Sequence, residues 1–512
     1  MRPLVALLLS ACAALADDFA SQLDPADFRL AAVLEQGRKK PLDTLARERL
    51  ELITGNCAYK GQDPVATLLS MVFDRSGWME AEIFDVSFPQ LVESIGKRKD
   101  GNVYSAKEIL ASAALMAEIE KRESRKNGPR ETALAELRAK LTCFLNLGAM
   151  LRVVPPPAGY PKDDWYGMRE AAPGTWRAEG APRDLYPAGW VDETEKLWGQ
   201  LAAAVRAKDA TAANRAMAAL APRLASVSAG NYPSRSMLAA EHAFMRWQPF
   251  RWSWILYALA CGVLGFGVWL GSKRWHTAGF VLMCAGFASH LMGAGMRAYV
   301  AQRAPWADLY ETMVAATLMC TVFAVCFEAI FRSSYVGISA CFMGAVGLVG
   351  ASMLPFDFRT VDPLVPELRS WWLKYHVLAM ICAYGAFTLA FGISVLHLWV
   401  HFGRKDEQGS KKLEDLTYRI IQIGFFSITL GVILGALWAD SAWGRYWGWD
   451  PKETWALVTW FIYAACIHGR MLGWCRGPRA AAASILGYAA ALFTFFGVNF
   501  LMTGLHSYAN AT

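Results

Sequence analysis

The first half of this 512-residue sequence is poor in cysteine. Of the 11 cysteines, only Cys57 and Cys143 lie between residues 17 and 248, and most of the others lie in or beside apolar segments. So few cysteines exclude a disulfide-dense scaffold, which small secreted domains use when their core is insufficient. Two alternatives stay open, a single Cys57–Cys143 bridge or two free thiols.

The sequence also lacks a concentrated basic stripe. It carries 51 lysines and arginines against 44 aspartates and glutamates, and the net charge of +7 falls almost wholly after residue 252. Basic loops beside a bilayer explain that excess better than a nucleic-acid surface does. We therefore expect membrane lipid, and no nucleic acid, among the partners.

The amino terminus has the pattern of a secretory signal. Arg2 precedes an apolar run over Leu4–Leu15, and Ala14-Leu15-Ala16 offers a small-residue cleavage site. The pattern predicts a signal peptide at residues 1–16, with an uncleaved anchor as the alternative. In either case the segment that follows is exported.

Residues 17–248 are predicted to form an exported, mainly helical soluble domain. No alternating strand pattern and no internal repeat is evident, whereas apolar residues recur at three- and four-residue spacing. The candidate helices are Pro41–Thr54, Ala106–Arg125, Glu131–Val153 and Asp192–Val227. The stretch Val154–Trp190 is rich in proline, glycine and tryptophan, which predicts an extended loop.

Residues 249–512 are dominated by apolar segments of about 20 residues, the length that crosses a bilayer core. Eight such segments occur, at residues 252–271, 276–294, 308–331, 335–354, 373–402, 418–439, 453–471 and 480–505. The predicted fold is therefore all-α, a polytopic membrane bundle of about eight transmembrane helices after the soluble domain. If the soluble domain lies outside, the even-numbered loops face outward, and the bias of lysine and arginine agrees.

The loop between the sixth and seventh segments concentrates tryptophan. Five of the chain's 21 tryptophans fall within residues 438–455, on the predicted outward side. Tryptophan favours membrane interfaces in general, but an interfacial belt spreads its aromatics over many helix ends. Indole faces concentrated here can stack on a porphyrin, and glycines let the backbone approach a flat ligand. The candidate haem-contacting residues are Trp443, Gly444, Trp447, Gly448, Trp449, Asp450 and Trp455.

Haem iron needs axial ligands, and neutral imidazole is the usual one. His376 and His506 lie at the outward ends of the fifth and eighth segments, at the depth of the tryptophan loop. We predict that these two ligate haem iron at an external site. His468 lies near the inward end of the seventh segment, roughly 25–30 Å away. It is predicted to ligate haem iron at a second, inner site, and a polar boundary residue is the alternative.

The other five histidines are predicted to be structural, namely His242, His276, His290, His397 and His401. The chain contains no Cys-x-x-Cys-His motif, which excludes that it is itself a c-type cytochrome.

The tryptophan loop resembles that of cytochrome c assembly proteins of the CcsA (ResC) type, in the haem-handling family that includes CcmC and CcmF. The resemblance covers roughly residues 250–512. It rests on Trp443-Gly-x-x-Trp447-x-Trp449-Asp450-Pro-Lys452-Glu453-x-Trp455, on Gly497-Val-Asn499 and on Gly504-Leu-His506-Ser-Tyr508.

Two further segments resemble the family less completely. Leu309-Tyr310-Glu311-Thr312 is similar to the family's loop before its third span, but the preceding Gln302-Arg303-Ala304-Pro305 departs from Gly-His-x-Pro. No histidine is therefore assigned at that point. In the exported half, residues 36–47 are similar to a segment that precedes the CcsA part in some long members.

The resemblance implies a two-site path for haem b. His468 matches the family's transmembrane histidine, and His376 and His506 match the external pair beneath the tryptophan-aspartate loop. A separate ResB (CcsB) membrane partner is implied, with apocytochrome c carrying Cys-x-x-Cys-His as the acceptor. The implied location is the bacterial inner membrane, with the soluble domain and tryptophan loop on the periplasmic side.

The implied activity is that of a holocytochrome c synthase, or haem lyase, acting with its partner. The loop's expected contribution is to position haem, with no catalytic residue beyond that, and Asp450 is expected to orient the loop rather than act as a base. Three alternatives stay open. They are a haem exporter or delivery protein that makes no bond, an electron-carrying cytochrome b-like subunit, and a transporter of an unrelated solute.

Overall fold

The computed structural model describes residues 19–96, 101–120, 128–228, 230–363 and 370–504. The chain divides into two compact units, Met1–Met245 and Arg246–Thr512. The predicted boundary lies near residue 248, and the export of the first unit stays a prediction. The predicted signal peptide, residues 1–16, lies outside the described residues.

The first unit is mainly helical, as predicted. Its helices are Phe19–Gln22, Leu42–Thr54, Pro64–Phe73, Arg75–Glu80, Pro89–Ile95, Ala106–Ala111, Ala113–Glu120, Pro129–Met150, Trp190–Arg206, Ala210–Ser226 and Arg235–Trp247, with a 3₁₀ turn at Ala26–Leu30. The helix expected over 192–227 is two helices. The break falls where Lys208 adopts a positive φ of 56° and Asp209 caps the second helix by accepting from the Ala212 N–H.

Seven short strands form three antiparallel sheets in this unit. They are β1 Ala32–Glu35, β2 Arg38–Pro41, β3 Glu82–Asp85, β4 Val103–Ser105, β5 Arg152–Val154, β6 Tyr166–Ala172 and β7 Thr175–Ala178. β1 pairs with β2, β3 with β4, and β6 lies between β5 and β7. The prediction of an extended loop over 154–190 was therefore wrong in part, because a hairpin occupies its centre.

Turn residues explain both clear hairpins. Gln36 and Gly37, between β1 and β2, have φ values of 48° and 76°, as a two-residue turn with left-handed conformations requires. Gly174, between β6 and β7, has a φ of 77°. β7 alternates exposed and buried side chains, with Trp176 facing the core. The Pro173-Gly174 dipeptide followed by this alternation was the signal that could have predicted the hairpin.

The core of the first unit is apolar and aromatic. Trp198 is 1% exposed and makes an edge contact with Phe73 at 5.8 Å between ring centroids. The two cysteines are free thiols, so the alternative of a bridge is not realised in the structure. The Cys57 thiol donates to Glu51 Oε2 at 3.2 Å, and burial raises the pKa of the Cys143 thiol.

The segment 36–47, noted for its resemblance to long family members, forms part of a buried charge network. Lys40 is ion-paired with both Glu35 and Glu48, and all three side chains are under 10% exposed. Asp43, with a fully buried side chain, accepts from Arg47 Nε at 2.8 Å and lies 2.9 Å from His242 Nδ1. These charged groups are paired with one another within the first unit. A buried charge that loses its partner strongly destabilises the fold.

We expect Asp43→Asn to destabilise the first unit by about 2 kcal/mol at neutral pH. Burial raises the pKa of Asp43, but hydrogen bonds from His242 and Arg47 outweigh burial and hold that pKa below its usual value. The stabilisation is therefore present above about pH 4 and is lost as the pH falls through the folded-state pKa. Hydrogen–deuterium exchange of the segment Leu42–Thr54 in the full chain, corrected for intrinsic rates at each pH, measures it.

Asp27→Asn is the matched control. Asp27 also pairs with an arginine, Arg235, but the two side chains are 65% and 75% exposed. An exposed pair contributes little, so exchange should be unchanged. Equal effects of the two substitutions would show that the buried network does not stabilise this unit.

The second unit contains eight long helices within the described residues. They are α1 Pro249–Leu270, α2 Lys273–Ala301, α3 Leu309–Phe331, α4 Ser334–Ser352, α5 Trp371–Leu398, α6 Glu407–Trp443, α7 Pro451–Met471 and α8 Pro478–Leu492. α5 continues through a wider π-helical turn at Trp399–Arg404, and α8 continues through Phe493–Gly497 to Val498–Leu501. A short helix, Phe356–Arg359, lies between α4 and α5.

All of these helices except α7 lie in segments long and apolar enough to cross a membrane, which gives seven candidate spans in the described residues rather than eight. α7 forms where the seventh segment was expected, but polar residues at both ends, including Lys452, Glu453, His468 and Arg470, shorten its apolar stretch. The predicted all-α, polytopic fold is confirmed.

α5 is the central helix of this unit. It packs against α3, α4, α6 and α8. Glycines allow the closest approaches, since a Cβ on Gly424 of α6 would lie 2.5 Å from the Phe387 ring. Phe387 in turn stacks on Tyr463 of α7, with 3.7 Å between ring centroids. Many large apolar side chains face outward, such as Phe426 at 70% exposure, as expected of helices in contact with lipid.

Consecutive helices run in opposite directions. α3, α5 and α7 therefore begin at the end of the bundle where α2, α6 and α8 finish. We call this the cavity end, because the main cavity of the unit opens there.

Candidate functional site

A cavity of about 510 Å³ lies at the cavity end of the second unit. Its walls come from the connection between α2 and α3, the first turns of α5 and α7, the last turns of α6, the loop after α6, and the end of α8. The volume lies within the range of sites for small molecules and cofactors, about 300–1,000 Å³. Four chain segments that are distant in sequence thus converge on one space.

His376 lies in the second turn of α5 and lines the cavity. Its Nδ1 lies 2.7 Å from the carbonyl oxygen of Gly431 on α6, so Nδ1 carries the proton and donates it. The lone pair then lies on Nε2, and this is the nitrogen that can ligate a metal in this tautomer. The hydrogen bond fixes both the protonation pattern and the plane of the ring.

The imidazole is held closely by α6. A Cβ built on Gly435 would lie 2.8 Å from both Cε1 and Nδ1 of His376, which no side chain tolerates. The ring is also nearly parallel to that of Trp438, with centroids 6.2 Å apart and an interplanar angle of 12°. Glycine at 435 and tryptophan at 438 therefore define the slot in which the imidazole lies.

The tryptophan loop contributes only part of its aromatic set to the cavity. Trp443 and Trp447 line it, together with Trp438. Trp449 is 70% exposed and does not line it, although we predicted a contact. Trp455 also lies elsewhere, packed on Phe493 with centroids 4.2 Å apart. The reason is helical geometry, because Trp455 is one turn inside α7 and points toward α8.

The two glycines of the loop shape the backbone rather than the cavity wall. Gly444 ends α6 with a φ of 70°, a left-handed conformation that favours glycine at this position. Gly448 donates its N–H to Glu453 Oε2 at 2.8 Å. Neither glycine lines the cavity. Trp449 adopts a φ of 57°, which is strained for a side chain of this size.

Asp450 and Glu453 hold the loop on α7 by a reciprocal capping box. The Asp450 carboxylate accepts from the Lys452 N–H at 3.2 Å, and Glu453 Oε2 accepts from the Asp450 N–H at 3.1 Å. Such a box satisfies the first amides of a helix and favours negative charge there. Asp450, 7% exposed, is thus held at the start of α7, and the expectation that it orients the loop rather than acts as a base stays a prediction.

The connection between α2 and α3 forms the wall opposite the loop. Glu311 accepts from Arg297 Nε at 2.9 Å, from the Ala307 N–H at 2.9 Å and from Arg303. Arg297 also donates to the carbonyl oxygens of Arg359 and Thr360. The family-like segment that begins at Leu309 therefore fastens this wall, and Arg303, at the position where the family's histidine was missing, lines the cavity.

Sequence reasoning missed two polar residues of the cavity. Lys452 and Asn499 both line it, and Lys452 Nζ donates to Asn499 Oδ1 at 3.1 Å. Their juxtaposition comes from the packing of α7 on the end of α8, which no spacing in the sequence reports. Asn499 had appeared in the quoted Gly497-Val-Asn499 motif, which was the available signal.

His506 lies outside the described residues. The chain before it reaches the tryptophan loop, since a Cβ on Gly504 would lie 2.5 Å from Asp450 Oδ1 and 3.0 Å from Pro451 Cδ. Gly504 therefore packs directly against the first residues of α7. The predicted pairing of His506 with His376 stays a prediction.

His468 lies at the other end of the bundle. It is 16 residues beyond Lys452 on α7, which corresponds to about 24 Å along the axis. Its Nδ1 lies 2.8 Å from the Ala464 carbonyl, and the side chain is exposed on the surface of the unit. At that distance His468 does not line the cavity, and the predicted external and inner haem sites stay predictions.

The five histidines predicted to be structural have partners within their own units. His290 lies 3.3 Å from the Tyr257 hydroxyl, His276 2.7 Å from the Ser334 hydroxyl, and His397 and His401 share the Ser410 hydroxyl. None of them lines the main cavity.

Comparison with known proteins identifies the family. The family model described as cytochrome C assembly protein matches residues 306–506. CcsA of Mesostigma viride is 34% identical over 40% of this chain and 77% of that protein, and CcsA of Synechococcus sp. strain CC9902 is 36% identical over 40% and 77%.

The chain belongs to the CcsA-type cytochrome c assembly proteins. NrfI of Wolinella succinogenes is 28% identical over 93% of this CcsA-type chain. The chain spans 53% of the length of NrfI. The match with NrfI includes the first unit, whereas the matches with CcsA proteins do not extend over the whole chain.

In this CcsA-type protein, Glu453→Ala should loosen the tryptophan loop. The substitution removes the acceptor of the Gly448 and Asp450 amides, so we expect hydrogen exchange over residues 444–450 to accelerate about tenfold or more. Asp406→Ala is the matched control, because Asp406 caps the other end of the bundle by accepting from the Gly409 N–H at 2.9 Å. Acceleration of the loop in both variants, or in neither, would contradict the assigned role of Glu453.

Proposed function

We propose that the cavity binds haem b beneath the tryptophan loop and that this protein attaches haem covalently to apocytochrome c. The observation that carries the proposal is the His376 imidazole, held with its proton on Nδ1 in an aromatic cavity. Membership of the cytochrome c assembly family supports the same activity.

The chemistry of the lining supports haem as the ligand. Trp438, Trp443 and Trp447 offer apolar aromatic faces, and the Nε2 of His376 offers the lone pair that ferrous or ferric iron accepts. We propose His506 as the second axial ligand, as the sequence predicted. The contact between Gly504 and Asp450 supports that proposal, because it brings the chain two residues before His506 to the cavity end.

The proposed reaction adds two thiols of a Cys-x-x-Cys-His segment across the two vinyl groups of haem. Each S–H bond breaks, one C–S bond forms, and the hydrogen goes to the other vinyl carbon, so the addition consumes no oxidant. The contribution of this chain is to hold the porphyrin in one orientation. The vinyl groups and the thiols then react from fixed positions rather than after a random encounter. The haem lyase activity is proposed to require a ResB (CcsB) partner.

We further propose that His468 ligates haem at an inner site before haem reaches the cavity. Its exposure on α7 supports a site completed by another chain, because a second ligand can approach from outside the unit. The proposed partner would supply that ligand. The bonded Nδ1 of His468 again leaves the lone pair on Nε2.

The proposed orientation puts the cavity end on the periplasmic side of the bacterial inner membrane. Basic residues support it, since Lys273, Arg404 and Arg470 lie at or near the opposite ends of their helices. Lysine and arginine are enriched on the cytoplasmic side of membrane proteins.

His376→Ala and Gly435→Ala should both lose external haem. The first removes the ligand, and the second forces the ring out of its slot and away from the Gly431 carbonyl. We expect haem affinity to fall about 10- to 100-fold in Gly435→Ala, as when the support of a ligating histidine is lost. Haem titration of the purified full chain, followed by the Soret band, measures this.

Gly265→Ala is the matched control, because a Cβ there meets nothing within 4 Å. It should bind haem as the wild type does. Unchanged titrations of His376→Ala would remove the basis of the proposed function.

His468→Ala should reduce the haem that copurifies from cells but not the haem that the purified protein binds when haem is added from solution. The reason is that the cavity is intact and only the proposed inner step is lost. His401→Ala is the control at the same end of the bundle, and its haem content should be normal. Equal haem content in His468→Ala and wild type would exclude the inner site.

Reconstitution separates attachment from delivery. The full chain with a ResB (CcsB) partner, haem and apocytochrome c is expected to form covalent haem, scored by a pyridine haem spectrum after extraction of free haem. Haem that binds but is never attached would favour the exporter or delivery protein.

A further inference from the structure

Most charged groups of the cavity already have partners of opposite charge or backbone partners. Arg303 is ion-paired with Glu311, Asp308 accepts from the Glu311 N–H at 2.7 Å, and Glu453 accepts from two loop amides. These groups hold the walls together and need no ligand.

Lys452 is the exception in the interior. Its ammonium donates to the neutral Asn499 amide at 3.1 Å, and no carboxylate oxygen of the described residues lies within 4.0 Å of Nζ. The nearby Asp450 carboxylate accepts from the backbone N–H of Lys452 and attracts the ammonium from beyond ion-pair distance. Within the described residues, one of the three ammonium donors is thus used, by an uncharged acceptor.

The location of Lys452 is unfavourable for a positive charge that has no anion in direct contact. It lies in the first turn of α7, where the helix dipole repels positive charge. Partial burial in a mainly apolar cavity adds a desolvation cost that a carboxylate partner would offset. Asn499 holds the ammonium at the cavity wall without neutralising it.

We propose that Lys452 is the anchor for a carboxylate of the cavity's ligand, with Asn499 as the residue that positions the ammonium. The inference rests on the proposed function, in which the ligand is haem, whose two propionates are carboxylates. It adds a second point of attachment to His376, and two fixed points restrict how the porphyrin can turn about the iron–nitrogen bond. Lys452 would thereby determine which edge of the ring faces the opening.

The test compares two ligands that differ only in charge, iron protoporphyrin IX and its dimethyl ester. Both are titrated into the purified full chain, as wild type and as Lys452→Met. We expect the wild type to bind the free acid about tenfold more tightly than the ester, because a charge-assisted hydrogen bond is lost with the ester. Lys452→Met should lose that preference, with ester affinity unchanged within about twofold, and Lys452→Arg should retain it.

Lys411→Met is the matched control. Lys411 is exposed in the second turn of α6, at the end of the bundle opposite the cavity, and does not line the cavity. Solvent screens an exposed charge, so its loss should change the affinity for the free acid by less than about twofold. A loss of preference in Lys411→Met as large as that in Lys452→Met would overturn the assignment.

The possible failures are distinguishable. Equal binding of acid and ester by the wild type, with a normal Soret band that depends on His376, overturns the carboxylate anchor alone. Equal weakening of both ligands by Lys452→Met shows that the lysine acts on the structure of the cavity, which also overturns it. Binding of neither ligand by the wild type overturns the proposed function and this inference with it.

Discussion

The hydrogen bond from His376 to the Gly431 carbonyl is the interaction on which the arrangement of the cavity depends. It joins α5 to α6 at the level of the cavity and fixes the ring tautomer. It forms only because glycines at 431 and 435 allow the two helices to approach, since a Cβ on Gly431 would lie 2.6 Å from the Met380 sulfur. Close helix approach through small residues is a common device in membrane bundles, and here it also sets the direction of a ligand nitrogen.

The same end of the bundle is fastened at two further points by carboxylates. Glu311 ties the α2–α3 connection to two arginines, and Glu453 ties the tryptophan loop to the start of α7. Each carboxylate accepts from at least one backbone N–H group, and Glu311 also accepts from the two arginine side chains. The two irregular segments of the cavity wall are therefore held by backbone hydrogen bonds, which help such segments to persist at the edge of a membrane.

The general organisation could be predicted from the sequence because apolar segments of membrane length and a tryptophan-rich loop are strong local signals. The predicted positions of His376 and His468 at opposite ends also agree with the structure. Local sequence patterns did not predict the side-chain positions that depend on how the helices pack together. Trp455 faces α8, and Lys452 meets Asn499 only through the contact of α7 with the end of α8. The strands β6 and β7 were missed because they are short, so that the alternation of β7 extends over only four residues.

Trp449 has a consequence for how the tryptophan loop behaves. A large side chain in the left-handed region costs about 1–2 kcal/mol, and this free energy is stored in the loop as long as the flanking amides are latched to Glu453. The loop therefore has a strained conformation that the hydrogen bonds to Glu453 maintain. If these hydrogen bonds open, Trp449 can leave the left-handed region, and the loop that carries Trp447 of the cavity wall loses two of its attachments to α7.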